Sequence, residues 1–511
     1  MTTSMKNRFY TVICCLLALL ALQSCNKGLE ELNVNPDASS TVSPDFVFTK
    51  AQYDAVGNMI TGLQGTMQYT TSYNDVASWG SKYIFNQGTA PYTVFSNAYP
   101  NEINEIGEVI RALEKEPMLV NKLAVAKIWR AYSFSKITDL YGDIPYSQAA
   151  QGYTKSLFKP TYDAQKDIYA DLLSELEKSI ALFDASKTTF GSADLLYGGD
   201  ITKWKKFAYS LMLRMGMRMT KADVTMAETW VKKAIAGGVI LDDADMAKVP
   251  YLAAGQIINQ NPLAYWMLNS DYLKADGVSN PEGGKYYDTF INYLKKTNDP
   301  RLPVLSVVYI GGKPSTDVSI QKGMPANIPN TKPTDFVTYS EPNQNTVLKL
   351  NSPMLVLSNA EVNFYLAEAA LRGWYTAKTA AALYDQGVKA AMRQWSLYGA
   401  DGVISQANID AYATANALVA SATQAKQMEQ IYTQFWVSIF PNSQEVFLNW
   451  RRTGYPALVP NNYTGNITGG RIFRRMLYPA TEENLNKENY TSAITRQGEN
   501  SFLTRMWLDK E

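Results

Sequence analysis

The residue types that most often carry out catalysis are scarce in this chain. It contains no histidine, and its three cysteines, Cys14, Cys15 and Cys25, all lie near the N-terminus. Catalysis by a Ser-His-Asp or Cys-His arrangement and zinc binding by Cys and His are therefore excluded. The chain also lacks the G-x-S-x-G, Walker and dinucleotide-binding motifs. Hydrolysis by a pair of carboxylates remains open, because Asp and Glu are plentiful.

The densest acidic cluster consists of Asp242, Asp243 and Asp245. Carboxylate oxygens suit hard cations, so the cluster raises the question of a calcium site. An EF-hand loop beginning at Asp243 requires a glycine and a glutamate at the positions where this chain has Lys248 and Ala254. We therefore expect a solvated turn here, and we predict neither a metal ion nor a cofactor.

Arg451 and Arg452 are adjacent to Trp450. A guanidinium can hold an anionic ligand through two parallel hydrogen bonds. We expect these two arginines to pair with carboxylates of the scaffold instead.

Two segments combine aromatic rings with amide and carboxylate side chains outside the helical periodicity. Such a combination can bind a sugar, because a ring stacks on the apolar face of the sugar while polar side chains bond its hydroxyls. The alternative is that each aromatic side chain packs in the core. The predicted ligand residues are Tyr73, Asn74, Asp75, Trp79 and Tyr83 in the first segment, and Tyr265, Trp266, Asn269, Asp271 and Tyr272 in the second.

The N-terminus has the three zones of a signal peptide, with Lys6 and Arg8 before an apolar stretch that runs from Phe9 to Leu22. That stretch is shorter than the roughly 20 residues needed to span a bilayer. The tetrapeptide that ends at Cys25 is similar to a bacterial lipobox. We therefore predict a signal peptide over 1–24 and a lipid (palmitate) anchor on Cys25. The alternative is ordinary secretion with a free thiol.

The charge balance of the chain is close to neutral. It has 48 basic and 47 acidic residues, which gives a formal charge of +1. This balance offers no electrostatic basis for binding nucleic acid. Aromatic residues make up 12% of the chain, and 33 of them are tyrosines, which suits a binding surface as well as a core.

Amphipathic helices must position these residues. Ser358 and Glu361 form a capping box that predicts a helix start, and Asn442 with Glu445 repeats the pattern. Small residues on adjacent helices favour close packing in hairpins. The ranges with helical spacing are 102–140, 162–184, 202–237, 358–398 and 405–452.

The helical rhythm largely stops between about 241 and 356, where only a short helix (286–297) and a strand (302–310) are predicted. Long irregular segments within compact proteins are usually functional. We predict one domain over 25–511, in which a helical scaffold (about 102–240 and 357–452) carries a loop-rich ligand region (about 241–356).

Six segments in order resemble the SusD/RagB-like family of nutrient-binding outer-membrane lipoproteins, in the branch called SusD-like 2. The segments are TDLYGDIPYSQA (138–149), GDITKWKKFAYSLMLRMGMR (199–218), NDPRLPV (298–304), NAEVNFYLAEAALRGW (359–374), QFWVSIFPNSQEVFLNWRRTGYPAL (434–458) and RIFRRMLYPATEENLN (471–486). Gly142 and Pro145 in the first segment indicate a corner at which a helix ends.

This resemblance implies a mainly α fold, with a scaffold of tetratricopeptide-like helical hairpins in an α-α superhelix and few short strands. It also implies an outer-membrane protein that faces the cell exterior and pairs with a SusC-like TonB-dependent barrel transporter. Such a protein captures an oligosaccharide or a peptide without cleaving it. The alternatives are a surface glycoside hydrolase with a carboxylate pair and a helical-repeat scaffold that recruits other proteins.

Overall fold

Helices form most of the described chain. The computed structural model describes residues 42–73, 80–84, 91–269 and 284–510. The helices are α1 (Pro44–Gly57), α2 (Leu63–Thr66), α3 (Thr93–Ala98), α4 (Asn104–Leu113), α5 (Val120–Tyr141), α6 (Gly152–Lys155), α7 (Gln165–Ala181), α8 (Ile201–Arg218), α9 (Val224–Gly237), α10 (Pro262–Asn269), α11 (Asp288–Lys296), α12 (Leu302–Leu305), α13 (Asn359–Leu371), α14 (Ala380–Arg393), α15 (Gln406–Ala415), α16 (Gln424–Ile439), α17 (Ser443–Thr453), α18 (Ala480–Leu485) and α19 (Lys487–Gln497). A π-helical turn, Tyr99–Ile103, joins α3 to α4. None of the described helices is both long and apolar enough to cross a bilayer.

The predicted mainly α fold with tetratricopeptide-like pairs of helices is confirmed. Helices close in sequence pack against each other, as in α5 with α7, α8 with α9, α13 with α14, and α16 with α17. Their apolar faces merge into one core that includes the fully buried rings of Trp129, Trp204, Trp395 and Trp436. The chain from Pro44 onward forms one compact unit.

Local sequence signals set several helix ends. The Ser358 side chain accepts a hydrogen bond from the Glu361 amide at 3.2 Å, so the predicted capping box is confirmed. Asn442 caps α17 in the same way, through the amide of Glu445 at 3.1 Å. The carboxylate of Asp200 caps α8.

Most of the short antiparallel strands lie in the region between the two halves of the scaffold, and the pairing of β1 with β5 ties this region to the segment after α2. The strands are β1 (Thr70–Thr71), β2 (Ile144–Pro145), β3 (Tyr162–Asp163), β4 (Ala247–Val249), β5 (Lys285–Tyr286), β6 (Ser306–Ile310), β7 (Lys313–Ser315), β8 (Glu341–Pro342) and β9 (Met354–Leu357). β1 pairs with β5, β2 with β3 and β4 with β9, while β6 lies between β7 and β8.

The strand predicted over 302–310 covers two elements. Residues Leu302–Leu305 form the one-turn helix α12, and the strand β6 begins only at Ser306. Pro303 explains the difference, because proline favours the first turn of a helix, where its missing N–H is not needed. The helix predicted over 286–297 is α11.

A buried cluster of charges joins four helices of the scaffold. Arg214 and Arg218 of α8 form ion pairs with Glu445 of α17, and each has a second carboxylate partner. Arg214 pairs with Glu361 of α13 at 2.6 Å, and Arg218 pairs with Asp139 of α5. All five side chains are at least nine-tenths buried. Unpaired charges at this depth would be very costly, so the pairs fix how these helices meet.

Arg452 pairs with a carboxylate of the scaffold, as expected. Its guanidinium holds the buried carboxylate of Glu368 through two hydrogen bonds of 2.8 and 2.7 Å. Arg451 instead donates to the backbone carbonyls of Asp139 and Arg474, so the expected pairing with a carboxylate is wrong for this residue.

The TDLYGDIPY segment is the corner that its glycine and proline predict. Gly142 ends α5 with φ of +84°, and a Cβ at this position would lie 1.7 Å from the side-chain oxygen of Gln497. That oxygen accepts from the Asp143 amide at 2.7 Å, and the Asp143 carboxylate in turn accepts from Arg496 at 2.6 Å. The corner therefore ties α5 to the C-terminal helix α19.

Candidate functional site

The two described tyrosines of the first aromatic segment are packed inside the protein. The Tyr83 ring is 1% exposed and packs edge-on against Phe473, and burial raises the pKa of its hydroxyl to about 12. Tyr73 is also buried and meets Phe336 edge-on. Neither ring offers a free face in this conformation. Asn74, Asp75 and Trp79 lie outside the described residues.

The second aromatic segment is helical over Pro262–Asn269, contrary to the expectation that it lies outside the helices. Asn261 caps α10 by accepting from the amides of Leu263 and Ala264, both at 3.0 Å, and Pro262 opens its first turn. The Asn-Pro dipeptide was therefore a helix-start signal that sequence reasoning missed.

Tyr265 and Trp266 of α10 are half-buried, and Asn269 is exposed at its end. The Asn269 amide donates to the Tyr265 carbonyl at 2.8 Å. Asp271 and Tyr272 lie outside the described residues.

The short sheet of β1 and β5 joins residues next to two undescribed stretches of the chain. Thr71 lies shortly before the stretch 74–79 and pairs with Lys285, which follows the stretch 270–283. The pairing is antiparallel, so Ser72 and Gly284 leave the sheet at the same end.

A surface groove of about 510 Å³ lies where several elements meet, and Tyr265 lines it. We call it the tyrosine groove. Helix α1 contributes Tyr53, the loop after β4 contributes Tyr251, and α10 contributes Tyr265. The π-helical turn contributes Asn101. π-Helical turns occur frequently at functional sites.

The aromatic wall of the groove provides a platform for an apolar face. Tyr53 and Tyr251 lie with ring centroids 5.6 Å apart and ring planes tilted by 56°. Burial raises the pKa of both hydroxyls, so both tyrosines are neutral at physiological pH. Ile257 and Ile258 extend this apolar surface at the rim, where more than half of each side chain is exposed.

Amide side chains supply the polar half of the groove. Asn58, Asn97, Asn101 and Gln260 all line it. Carboxamides offer donors and acceptors together, as the hydroxyl groups of a sugar require.

The charges at the groove largely cancel. Lys50 lies between Asp54, at 2.5 Å, and Glu105, while the buried Glu102 pairs with Lys136 at 3.2 Å. The groove has no excess of positive charge, so it suits an uncharged ligand better than an anionic one.

The acidic turn at 242–245 is held by protein partners. The Asp242 carboxylate caps the turn, Asp243 pairs with Arg393 at 2.6 Å, and Asp245 pairs with Lys206 at 2.5 Å. Among the described residues no group of three or more acidic, His or Cys side chains is arranged to hold a metal ion.

Sequence reasoning missed Tyr53 and Tyr251, although one of them carried a signal. Phe48, Ala51 and Ala55 form the buried stripe of α1, and Tyr53 lies off that stripe. A large ring beside the buried stripe of a helix is only partly covered by the core, which could have marked Tyr53 as a candidate contact residue. Tyr251 follows a three-residue strand and carried no comparable signal.

The comparisons with known proteins agree with this architecture. The family described as "SusD-like_2: Starch-binding associating with outer membrane" matches residues 36–479. A solved chitin-binding protein is 30% identical over 92% of this chain and 100% of its own, with a TM-score of 0.79. A SusD-like protein titled Bacteroidetes AC2a is 26% identical with the same coverage and a TM-score of 0.80.

A SusD homologue from Bacteroides fragilis is similar in fold, at 24% identity over 92% of this chain and 100% of its own, with a TM-score of 0.76. A search of curated proteins gave no match. The family match covers well over half of the chain and agrees with the six motifs. The protein therefore belongs to the SusD-like family of non-catalytic binding proteins associated with the outer membrane.

Proposed function

We propose that this protein captures an uncharged oligosaccharide in the tyrosine groove. The observation that carries the proposal is the meeting of Tyr53, Tyr251 and Tyr265 with four carboxamide side chains in one open groove. Rings of this kind stack on sugars, and carboxamides bond hydroxyl groups. A groove open to solvent suits one stretch of a chain-like ligand. The family is non-catalytic, so the glycoside hydrolase considered from the sequence is set aside.

The comparisons suggest which sugars to test first. A protein 30% identical to this chain is described as chitin-binding, and the family description names starch. Chito-oligosaccharides and malto-oligosaccharides are therefore the first ligands of choice. Peptides form a second class, because the resemblance implies either.

The proposal also includes delivery of the captured ligand to a transporter. Capture at the cell surface is useful only if the ligand then crosses the outer membrane. We propose that the protein passes its ligand to a SusC-like TonB-dependent barrel transporter while a lipid on Cys25 holds it at the membrane. Two or more acyl chains give stable anchoring.

The ligand surface in this proposal extends beyond the groove, to the two predicted aromatic clusters. Helix α10 links the two parts along the chain, because Tyr265 lines the groove and Asp271 and Tyr272 follow the end of α10 by two and three residues.

Isothermal titration calorimetry against chito-oligosaccharides, malto-oligosaccharides and peptides tests the proposal. We expect saturable binding of one glycan class. Tyr53→Ala and Tyr265→Ala should each weaken it at least about tenfold, which corresponds to about 1.4 kcal/mol. Tyr153→Ala is the matched control, because its ring is 85% exposed and lies outside the groove.

A Trp79→Ala and Trp266→Ala double variant tests the extended surface separately. Undiminished binding by that variant would remove these clusters from the ligand site. Undiminished binding by both groove variants would show that the groove is not the site. A chain that binds only peptides would contradict the oligosaccharide assignment.

A further inference from the structure

A second cavity, of about 90 Å³, lies next to the tyrosine groove and is partly open to solvent. We call it the inner cavity. It is lined by the end of α1 and the residues that follow (55–56 and 58–61), by β9, and by the first turn of α17. Asn58 lines both the groove and the inner cavity. Gly57 and Pro262 line the groove but not the inner cavity.

The inner cavity is lined by polar groups that the protein does not use. Gln64 and Gln394 are 2% and 3% exposed, and the side-chain oxygen of each has no hydrogen-bond partner in the described part of the chain. Their side-chain nitrogens donate to the carbonyls of Pro441 and Ser438, so the orientation of both amides is fixed. Gln444 at the start of α17 also has an unpaired side-chain oxygen.

Two hydroxyl groups add possible donors to these acceptors. Tyr132 and Tyr398 line the inner cavity, and neither hydroxyl bonds to another described residue. Buried polar groups are nearly always satisfied, so a concentration of unsatisfied ones around one cavity calls for an occupant. That occupant must both donate and accept hydrogen bonds.

The size of the inner cavity and its apolar lining restrict the chemical identity of the occupant further. A cavity of roughly 150 Å³ accepts benzene, so the inner cavity holds a substituent rather than a sugar ring. Ile60 and Leu357 are almost fully buried in its wall, and Met59 and Met354 stand half-exposed beside them. These side chains fit a methyl group. The charged groups in the wall, Lys136 and Glu361, are already paired with Glu102 and Arg214.

We propose that the inner cavity binds the N-acetyl group of an amino sugar held in the tyrosine groove. An acetamido group has one N–H donor, one carbonyl acceptor and one methyl group, which match the free amide oxygens, the tyrosine hydroxyls and the apolar wall. The unpaired side-chain oxygen of Gln444 can accept a hydrogen bond from the acetamido N–H. The inference rests on the proposed function, and it makes the protein selective for N-acetylated glycans.

Three tetrasaccharides with the same β-1,4 backbone test this inference by calorimetry: chitotetraose, its deacetylated form and cellotetraose. Cellotetraose has a hydroxyl where chitotetraose has the acetamido group. We expect chitotetraose to bind at least about tenfold more tightly than either of the others. Tyr398→Phe and Gln444→Ala should bring this ratio close to one. Tyr265→Ala should weaken the binding of chitotetraose and of cellotetraose by similar factors.

The outcomes separate this inference from the proposed function. If chitotetraose and cellotetraose bind with equal affinity, and Tyr265→Ala abolishes the binding of both, the acetamido assignment is wrong and the groove remains the site. A preference for chitotetraose that survives in both Tyr398→Phe and Gln444→Ala would also overturn it, because the cavity would then hold water alone. Absence of binding to every glycan would overturn both proposals. Tyr398→Phe removes a single atom, so it keeps the test valid if Gln444→Ala fails to fold.

Discussion

At the scale of residues, the buried ion pair of Asp299 and Arg301 helps to specify the fold. In the NDPRLPV segment, the fully buried guanidinium of Arg301 holds Asp299 through bonds of 2.9 and 2.6 Å and also donates to Ser438 of α16 at 3.1 Å. The pair thus fixes the junction between α11 and α12 against the scaffold. Asp299 and Arg301 both lie in a family motif, so the motif has a structural role.

Replacing Asp299 with asparagine should destabilise the protein strongly. The substitution leaves Arg301 buried without a counter-charge, which costs about 3–5 kcal/mol. Urea denaturation measures the loss. Glu228→Gln is the control, because its pair with Lys232 is exposed and contributes less than about 0.5 kcal/mol. Equal effects of the two variants would contradict the structural role of the Asp299 pair.

At the corner after α5, Gly142→Ala tests whether glycine is needed because its neighbours pack closely or only because its φ is positive. The new Cβ would overlap the side-chain oxygen of Gln497 and displace its hydrogen bond to Asp143. Gly373→Ala is the matched control, since Gly373 has φ of +74° and open space around it. We expect Gly142→Ala to cost at least about 1 kcal/mol more than the control in thermal unfolding, from the lost buried hydrogen bond. Equal costs would mean that the corner tolerates a side chain.

At the scale of elements, signals within a few residues could be read from the sequence and contacts between distant segments could not. The capping box at Ser358 and the corner at Gly142 were predicted because their partners are close in the chain or their residue types allow few alternatives. Tyr83 was predicted as a ligand residue, yet its ring is buried by Phe473, almost 400 residues away. The groove combines Tyr53 with Tyr251 and Tyr265, and no periodicity connects residues so far apart.

The contact between α1 and α4 should make stability depend on pH. Burial, together with the neighbouring Asp54, raises the pKa of Glu105 to about 7, against the pull of Lys50. The folded chain therefore binds a proton on Glu105 below pH 7, whereas the unfolded chain binds it only near the ordinary glutamate value of 4.5. The contribution of this group to stability rises as pH falls from about 7 toward 4.5 and is lost as pH rises through 7.

Glu105→Gln should remove this contribution, because glutamine carries no charge at any pH. The midpoint of urea unfolding, measured between pH 5 and pH 8, gives the slope for both proteins. Glu108→Gln, one turn along α4 and exposed, should keep the slope of the unchanged chain. If the unchanged chain and both variants show the same dependence of the urea midpoint on pH, Glu105 does not take up a proton in this range.

At the scale of the whole molecule, the helical scaffold presents the proposed binding surface at α1. Helix α1, which begins at Pro44, supplies both Tyr53 of the groove and part of the wall of the inner cavity.

Mass spectrometry of the N-terminal peptide of the mature protein tests the anchor. We expect the peptide to begin at Cys25 and to carry acyl chains, because the preceding residues are similar to a lipobox. Cys25→Ala should release the protein from the membrane fraction. An unmodified Cys25 in the mature protein would contradict the anchor, and ordinary secretion would then explain the N-terminus.

The most direct test of the central claim is a crystal structure of the protein with the oligosaccharide that calorimetry selects. We expect a sugar ring against Tyr53 and Tyr265, with its hydroxyl groups within hydrogen-bond distance of Asn101 or Gln260. If the oligosaccharide lies elsewhere on the protein while the tyrosine groove contains only solvent, the proposed site is wrong.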